Sequence, residues 1–258
     1  MKKIFSGFTL KLIALIFMLV DHISSYLGPA LHIPNWVSLL GRFVAPLFVF
    51  LMIESYFHTR SRKKYFLRLF TAGILMHIIN IMRNILIHTS LYNPFTGNFE
   101  FFRILQGQNI FMTLALVFAF IWLLDRLKKS EGSKVVNVAI LVALILPILI
   151  SEGGPYELLL AIVFFKFHGN FKKISISILV FSGLLFAKMF LYYLQGYPGT
   201  FYSLVTFDNE FMIFTVLPFI YLYNGQRGGS GKKWEKKLFY YFYPLHLIVL
   251  YALQYFLI

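Results

Sequence analysis

The sequence predicts an all-α polytopic membrane protein: one integral membrane domain over residues 1–258, with about nine transmembrane helices, a cytoplasmic N-terminus and an external C-terminus. Three observations carry this. First, 59% of the residues are hydrophobic and only 13% charged, with a mean hydropathy of +0.74, outside the range of ordinary soluble domains. Second, long apolar runs recur along the whole chain. Third, 20 of the 24 Lys and Arg residues fall on one side of a nine-span arrangement, which the positive-inside rule makes the cytoplasm. The net charge of +14 is therefore topological, and no nucleic-acid partner is expected. There is no cysteine, which excludes disulfides, thiolate metal sites and cysteine nucleophiles. No metal is expected.

The elements follow in order. Met1-Lys2-Lys3 and the apolar run 12–20 resemble a signal peptide. Asp21-His22 breaks that pattern and no small-x-small cleavage site follows, so residues 10–28 are expected to stay as the first span. A loop without Lys or Arg leads to a second span over 36–57, and the basic run 58–64 to a third over 65–87. A long outer loop, 88–108, precedes a fourth span over 109–124. The fifth, 135–150, ends at Ser151-Glu152-Gly153-Gly154-Pro155, because Gly and Pro terminate helices. It forms with a short sixth, 156–167, either two crossings or a re-entrant hairpin. Lys172-Lys173 open a seventh span reaching 194. Loop 195–209 has no Lys or Arg; the eighth span covers 210–223 and the basic loop 227–237 leads into the ninth.

Charged side chains within the spans are costly, ~2.5–3.5 kcal/mol each at mid-bilayer, and commonly mark a site. The first two spans hold Asp21, His22, Arg42 and Glu54. Asp21 with Arg42 could be a structural ion pair locking the hairpin; His22, titrating near neutrality, suggests chemistry beside it. Asp21 and His22 point about 100° apart on a helix and cannot form a close dyad by themselves. Sequence order puts Arg83 and Lys188 at a similar outer depth, where snorkelling to the interface is the bland alternative. Glu54 lies about 18 Å from Arg42 along a helix, near the inner end, with His58 or a loop cation as its expected partner. In the ninth span Tyr243, Pro244 and His246 stand out: a proline frees a backbone carbonyl. His246 is expected about a third of the way across from the cytoplasmic side, lining a cavity or bonding a neighbouring helix.

Several strings together resemble the TraX family: Met18-Leu19-Val20-Asp21-His22, Gly41-Arg42-Phe43-Val44-Ala45-Pro46-Leu47-Phe48, His58-Thr59-Arg60 with Lys64-Tyr65 and Arg68-Leu69, Asn109-Ile110-Phe111-Met112-Thr113-Leu114, and Phe242-Tyr243-Pro244-Leu245-His246. Residues 76–91 and the aromatic-rich outer loop depart from the pattern. The resemblance implies a multi-pass protein of the cytoplasmic membrane linked to pilin N-terminal acetylation. It also implies kinship with membrane acyltransferases, whose first-span His maps onto His22 and whose basic motif at the third span maps loosely onto Lys63-Lys64-Tyr65-Phe66-Leu67-Arg68.

The function expected is transfer of an acetyl group from cytoplasmic acetyl-CoA to an amine or hydroxyl of an exported acceptor. His22 would be the base. Arg42, with Asp21 as partner, would meet the charge on the carbonyl oxygen. Lys63, Lys64 and Arg68 would hold the CoA phosphates, and Lys188, Arg83, Asn109, His246, Tyr243 and Glu54 would line the substrate path. The partners expected are the lipid bilayer, acyl-CoA and the acceptor. A proton-coupled or anion transporter also suits intramembrane charge and broken helices; a non-catalytic assembly factor for a surface structure is the third reading.

Overall fold

The computed structural model describes residues 3–93 and 96–257; Lys2 and the C-terminal Ile258, both part of the expected topology, lie outside them. Among the described residues, ten α-helices carry the fold: α1 (Gly7–Leu31), α2 (Val44–His58), α3 (Arg62–Leu86), α4 (Ile110–Lys128), α5 (Lys134–Leu149), α6 (Gly154–Lys166), α7 (Phe171–Leu194), α8 (Phe201–Phe207), α9 (Leu217–Leu222) and α10 (Lys233–Leu257). Among the described residues there is no strand, only isolated bridges. Small polar residues start the helices by accepting an otherwise unbonded amide: Ser6 from Thr9, Ser61 from Lys64, Asn109 from Met112 and Asn170 from Lys173.

Among the described residues, five helical segments are long and apolar enough to cross a membrane: Gly7–Leu31, Asn35–His58, Arg62–Leu86, Ile110–Lys128 and Phe171–Leu194. The bent pair Phe201–Phe207 and Glu210–Leu222, 62° apart, makes six if it is one broken span. The expected nine is not reached, for three physical reasons. First, α5 and α6 have 16 and 13 residues, too short at ~1.5 Å per residue to cross ~30 Å of hydrocarbon upright. Second, the expected eighth span, 210–223, is a 3₁₀ stretch, Glu210–Val216, followed by the short α9, and the expected outer loop before it contains α8. Third, α10 has 25 residues but mixes charged and tyrosine residues with its apolar ones. The second span is likewise not one helix: a tight 3₁₀ stretch, Asn35–Gly41, is followed by α2, and Arg42 sits at the break.

The chain forms two compact units. In the first, residues 1–54 and 160–258, α1 and α10 pack side by side and parallel. Successive pairs show the direction: Phe8 meets Phe239, His22 meets His246 and Tyr26 meets Tyr251. Leu10, Ala14, Leu47, Val49 and Leu247 are wholly buried there, while α7 leaves Val180, Leu184 and Leu191 exposed, a surface suited to lipid rather than water. In the second unit, residues 55–159, α3 and α4 approach closely at Gly73, where a Cβ would stand 2.9 Å from the Met112 backbone. Small residues permit such contacts between membrane helices.

Candidate functional site

The first unit gathers most of the ionisable groups singled out by sequence. His22 is buried on α1 at 4% exposure, and His246 is nearly as buried on α10. Nδ1 of His22 lies 2.6 Å from Nε2 of His246. The two ring planes differ by only 10°, so the contact lies in the plane of both imidazoles. Nδ1 of His246 is 2.7 Å from the Phe242 carbonyl oxygen. A carbonyl only accepts, so His246 carries its proton on Nδ1 and presents a lone pair at Nε2. His22 then donates from Nδ1 and keeps the lone pair of its own Nε2, for which no protein partner occurs among the described residues. Tyr243, 3% exposed, sets its ring against both imidazoles. His246 is thus level with His22, not a third of the way in from the other end, because α10 begins at Lys233 and runs parallel to α1.

One position earlier, Asp21 faces another way and meets Arg42. Nη2 of Arg42 donates to both Asp21 carboxylate oxygens at 2.9 and 3.0 Å, and Nε donates to the Ser38 carbonyl at 3.1 Å. The break between the 3₁₀ stretch and α2 is what lets the guanidinium reach back to α1. Gly41 makes the approach possible: a Cβ there would stand 2.7 Å from Cβ and Cγ of Asp21.

Lys188 is tied to Asp208 at 3.0 and 3.1 Å. The Asp208 and Glu210 carboxyl groups meet, and Glu210 lies within electrostatic reach of Arg42. The charges therefore form a chain from Asp21 and Arg42 through Glu210 and Asp208 to Lys188. Sequence reading passed over Asp208 and Glu210. The signal was there: two carboxylates opening an apolar run, within one loop of an intramembrane lysine that needs a counter-charge. Glu54 is not part of this group. Its Oε1 lies 2.9 Å from Nε2 of His168, a residue of the α6–α7 turn and so of the loop-cation kind expected as the alternative to His58.

A cavity of about 500 Å³ opens beside the Asp21–Arg42 pair. Its polar wall is Ser24, Ser25, Asn35, Ser38, Ser203 and Thr206. Asn209, buried, braces it by donating to Ser38 Oγ at 3.1 Å and to the Thr206 carbonyl at 2.8 Å.

The second unit holds the remaining candidates, in structural surroundings of their own. Asn109 caps α4 and donates to the Gly73 carbonyl at 2.9 Å, so its carboxamide is occupied by packing. Arg83 donates to Asn84 at 3.2 Å, and Asn84 in turn holds the Ile104 and Gln106 carbonyls. At the start of α3, Lys63, Lys64 and Arg68 are exposed, and Arg68 lies over the Tyr65 ring. Arg62 differs: it bonds buried Asp125 at 3.0 Å, together with Lys129 and the Tyr56 hydroxyl, and covers the Tyr56 ring.

A family model described as TraX protein matches residues 6–254. The chain belongs to the TraX family. The match spans both units and every residue of the His22–His246 and Asp21–Arg42 pairs. Within reach of this TraX chain is a relative from Dichelobacter nodosus, a probable fimbrial assembly protein, FimC of serogroup H1. The two are 27% identical over 257 residues, 98% of this chain and 97% of the relative. No solved structure matches it.

Proposed function

We propose that this TraX-family protein is a membrane-embedded acetyltransferase of the cytoplasmic membrane, using acetyl-CoA from the cytoplasm and an exported acceptor bearing an amine or hydroxyl on the outer side. The observation that carries the reading is the histidine pair. A buried imidazole whose Nδ1–H is fixed by a second imidazole has its Nε2 lone pair held in one orientation, which is what a general base requires. The acceptor's N–H or O–H proton passes to His22 Nε2. The acceptor atom forms its bond to the acetyl carbon, the C–S bond of the thioester breaks, and the proton leaves with the thiolate. Through the Nδ1–Nε2 contact, His246 and the Phe242 carbonyl share the transient positive charge. Arg42, oriented by Asp21 and the Ser38 carbonyl, supplies donors for the carbonyl oxygen as it becomes negative. Lys63, Lys64 and Arg68 suit CoA phosphates as charge-assisted donors, and Ser61 caps the helix that presents them. Their neighbour Arg62 is held by Asp125 instead.

Kinship with the wider membrane acyltransferases belongs to the same proposal. The name of the Dichelobacter relative points to fimbrial assembly, and a second reading, a non-catalytic assembly factor, is compatible with it. One experiment separates them. Mass spectrometry of exported peptides and envelope glycans, compared between intact and deleted strains, should show an acetyl group (42 mass units, about the mass of ketene added) lost on deletion and restored by wild type but not by His22→Ala. Assembly defects with no acetyl difference would favour the second reading.

A further inference from the structure

The histidine pair stands in the seam between α1 and α10, and the seam differs on its two sides. Toward the helix starts, Leu15 and Met18 of α1 are buried apolar side chains. The stacked Phe242 ring and the Tyr243 ring lie against the imidazoles themselves. Toward the helix ends come two phenols. Tyr26 is one turn beyond His22 on the same face of α1, and its ring meets the His22 ring at 6.4 Å and 80°. Tyr251 of α10 is buried, and its ring meets that of Tyr26 edge-on, centroids 5.1 Å apart. Side chains on a helix lean toward its start, so both phenols lean back toward the histidines.

The hydroxyl oxygens of Tyr26 and Tyr251 stand 3.4 Å apart. That is longer than the ~2.7–2.8 Å usual between hydroxyls, and close enough for both oxygens to engage one further polar atom. Each phenol can donate and accept. The acetyl transfer described above has a base in His22 and a partner for the carbonyl oxygen in Arg42, which stands about 100° round α1 on the Asp21 face. It has no group that holds the acceptor atom.

We infer that the Tyr26 and Tyr251 hydroxyls hold the acceptor atom against Nε2 of His22. The inference deepens the acetyltransferase reading and rests on it. An amine donates one N–H to His22 Nε2 and a second to a tyrosine oxygen. A hydroxyl donates its one O–H to His22 and accepts from a tyrosine. Either way a lone pair stays free. The acceptor atom bonds to the acetyl carbon, the thioester C–S bond breaks, and the acceptor's proton goes by way of His22 to the CoA thiolate. In that reading the ends of α1 and α10 are external, so the two hydroxyls lie on the side from which an exported acceptor arrives.

The test uses full-length protein in nanodiscs, with trialanine as an amine probe and maltotriose as a hydroxyl probe. Calorimetric titration without acetyl-CoA should show wild type binding at least one of them. Tyr26→Phe and Tyr251→Phe each remove one oxygen and keep the ring. Each should weaken that binding about fivefold or more, the loss of a hydrogen bond, while acetyl-CoA binds as before. With labelled acetyl-CoA, the KM for the probe should rise in both variants and the KM for acetyl-CoA should hold. A merely structural role would move the two together. Binding of neither probe by wild type, unchanged probe binding in the variants, or an equal rise in both KM values would overturn the assignment. Probe binding that weakens as expected, with no labelled product even from wild type, leaves the tyrosine site standing and defeats the acetyltransferase reading instead.

Discussion

Nδ1 of His22 and Nε2 of His246 are 2.6 Å apart although 224 residues separate them in the chain. The contact depends on α1 and α10 lying parallel, with the Phe242 carbonyl fixing the proton of His246. Because His246 bonds that carbonyl through Nδ1, only one arrangement of neutral tautomers satisfies all three groups, and it leaves the lone pair on His22 Nε2.

His22 and His246 should therefore fail differently. His22→Ala removes the base and should lower kcat for acetyl transfer by ~10²–10⁴, while acetyl-CoA binding and membrane insertion persist. His246→Ala keeps the base but releases its tautomer. It should lower kcat less than His22→Ala does and leave the acetyl-CoA KM unchanged. In the double variant the two losses should be far from additive, as for groups acting as a unit. Full transfer by His22→Ala would end the catalytic assignment.

Gly41 tests the Asp21–Arg42 geometry without altering either charge. Gly41→Ala would place a Cβ 2.7 Å from the Asp21 side chain, displacing the carboxylate from the guanidinium. Activity should fall about as far as in Arg42→Lys, which keeps the charge but loses the planar fork. Neither should change the amount of protein in the membrane by more than about half. If Gly41→Ala is fully active, Arg42 does not need Asp21 to orient it.

How much of this was legible in the sequence depends on distance along the chain. Helices α1, α3, α4 and α7 were readable from their apolar runs and flanking basic residues. The Asp21–Arg42 pair was open to sequence only as one possibility, because two opposite charges in adjacent spans suggest a partner but do not fix which faces meet. The His22–His246 pair was not: helix neighbours are set by three-dimensional packing, and nothing local marks α1 and α10 as touching. The broken span at Asp208-Asn209 was hidden because α8, with Phe201, Tyr202 and Phe207, reads as an aromatic loop. For Glu54 a loop cation was open beside His58, but that the α6–α7 turn delivers it as His168 is set by packing and not by proximity in sequence.

The cations at the start of α3 should divide into two kinds. Neutralising Lys63, Lys64 and Arg68 together should weaken acetyl-CoA binding about tenfold or more at low salt and flatten its dependence on ionic strength, since exposed charges are screened over ~8–10 Å. Arg62→Gln should do something else. It leaves the buried Asp125 carboxylate with one fewer cation, so thermal stability should drop while acetyl-CoA affinity in the folded fraction stays put. If the triple variant binds as tightly as wild type, those three residues serve topology alone.

The parallel packing of α1 and α10 leads to a last prediction, about sidedness. If both helices cross the bilayer, their starts share one face and their ends the other, so the N-terminus and C-terminus lie on opposite sides and the number of crossings is odd. Five apolar segments, the bent pair and α10 give seven crossings, with α5 and α6 as a hairpin that returns to the side it left. Nine crossings, the count expected from the basic loops, is also odd and differs only in carrying α5 and α6 across. Reporter tags at Arg60, Lys129, Lys173 and Gly229 should read cytoplasmic by the basic residues around them, and tags near Asn98 and the C-terminus external. A tag at Glu152 decides between the two counts: accessible from outside for nine, protected for a hairpin ending within the membrane. A cytoplasmic C-terminus would mean that α1 and α10 do not both cross, and the histidine pair would then lose its place in the membrane interior.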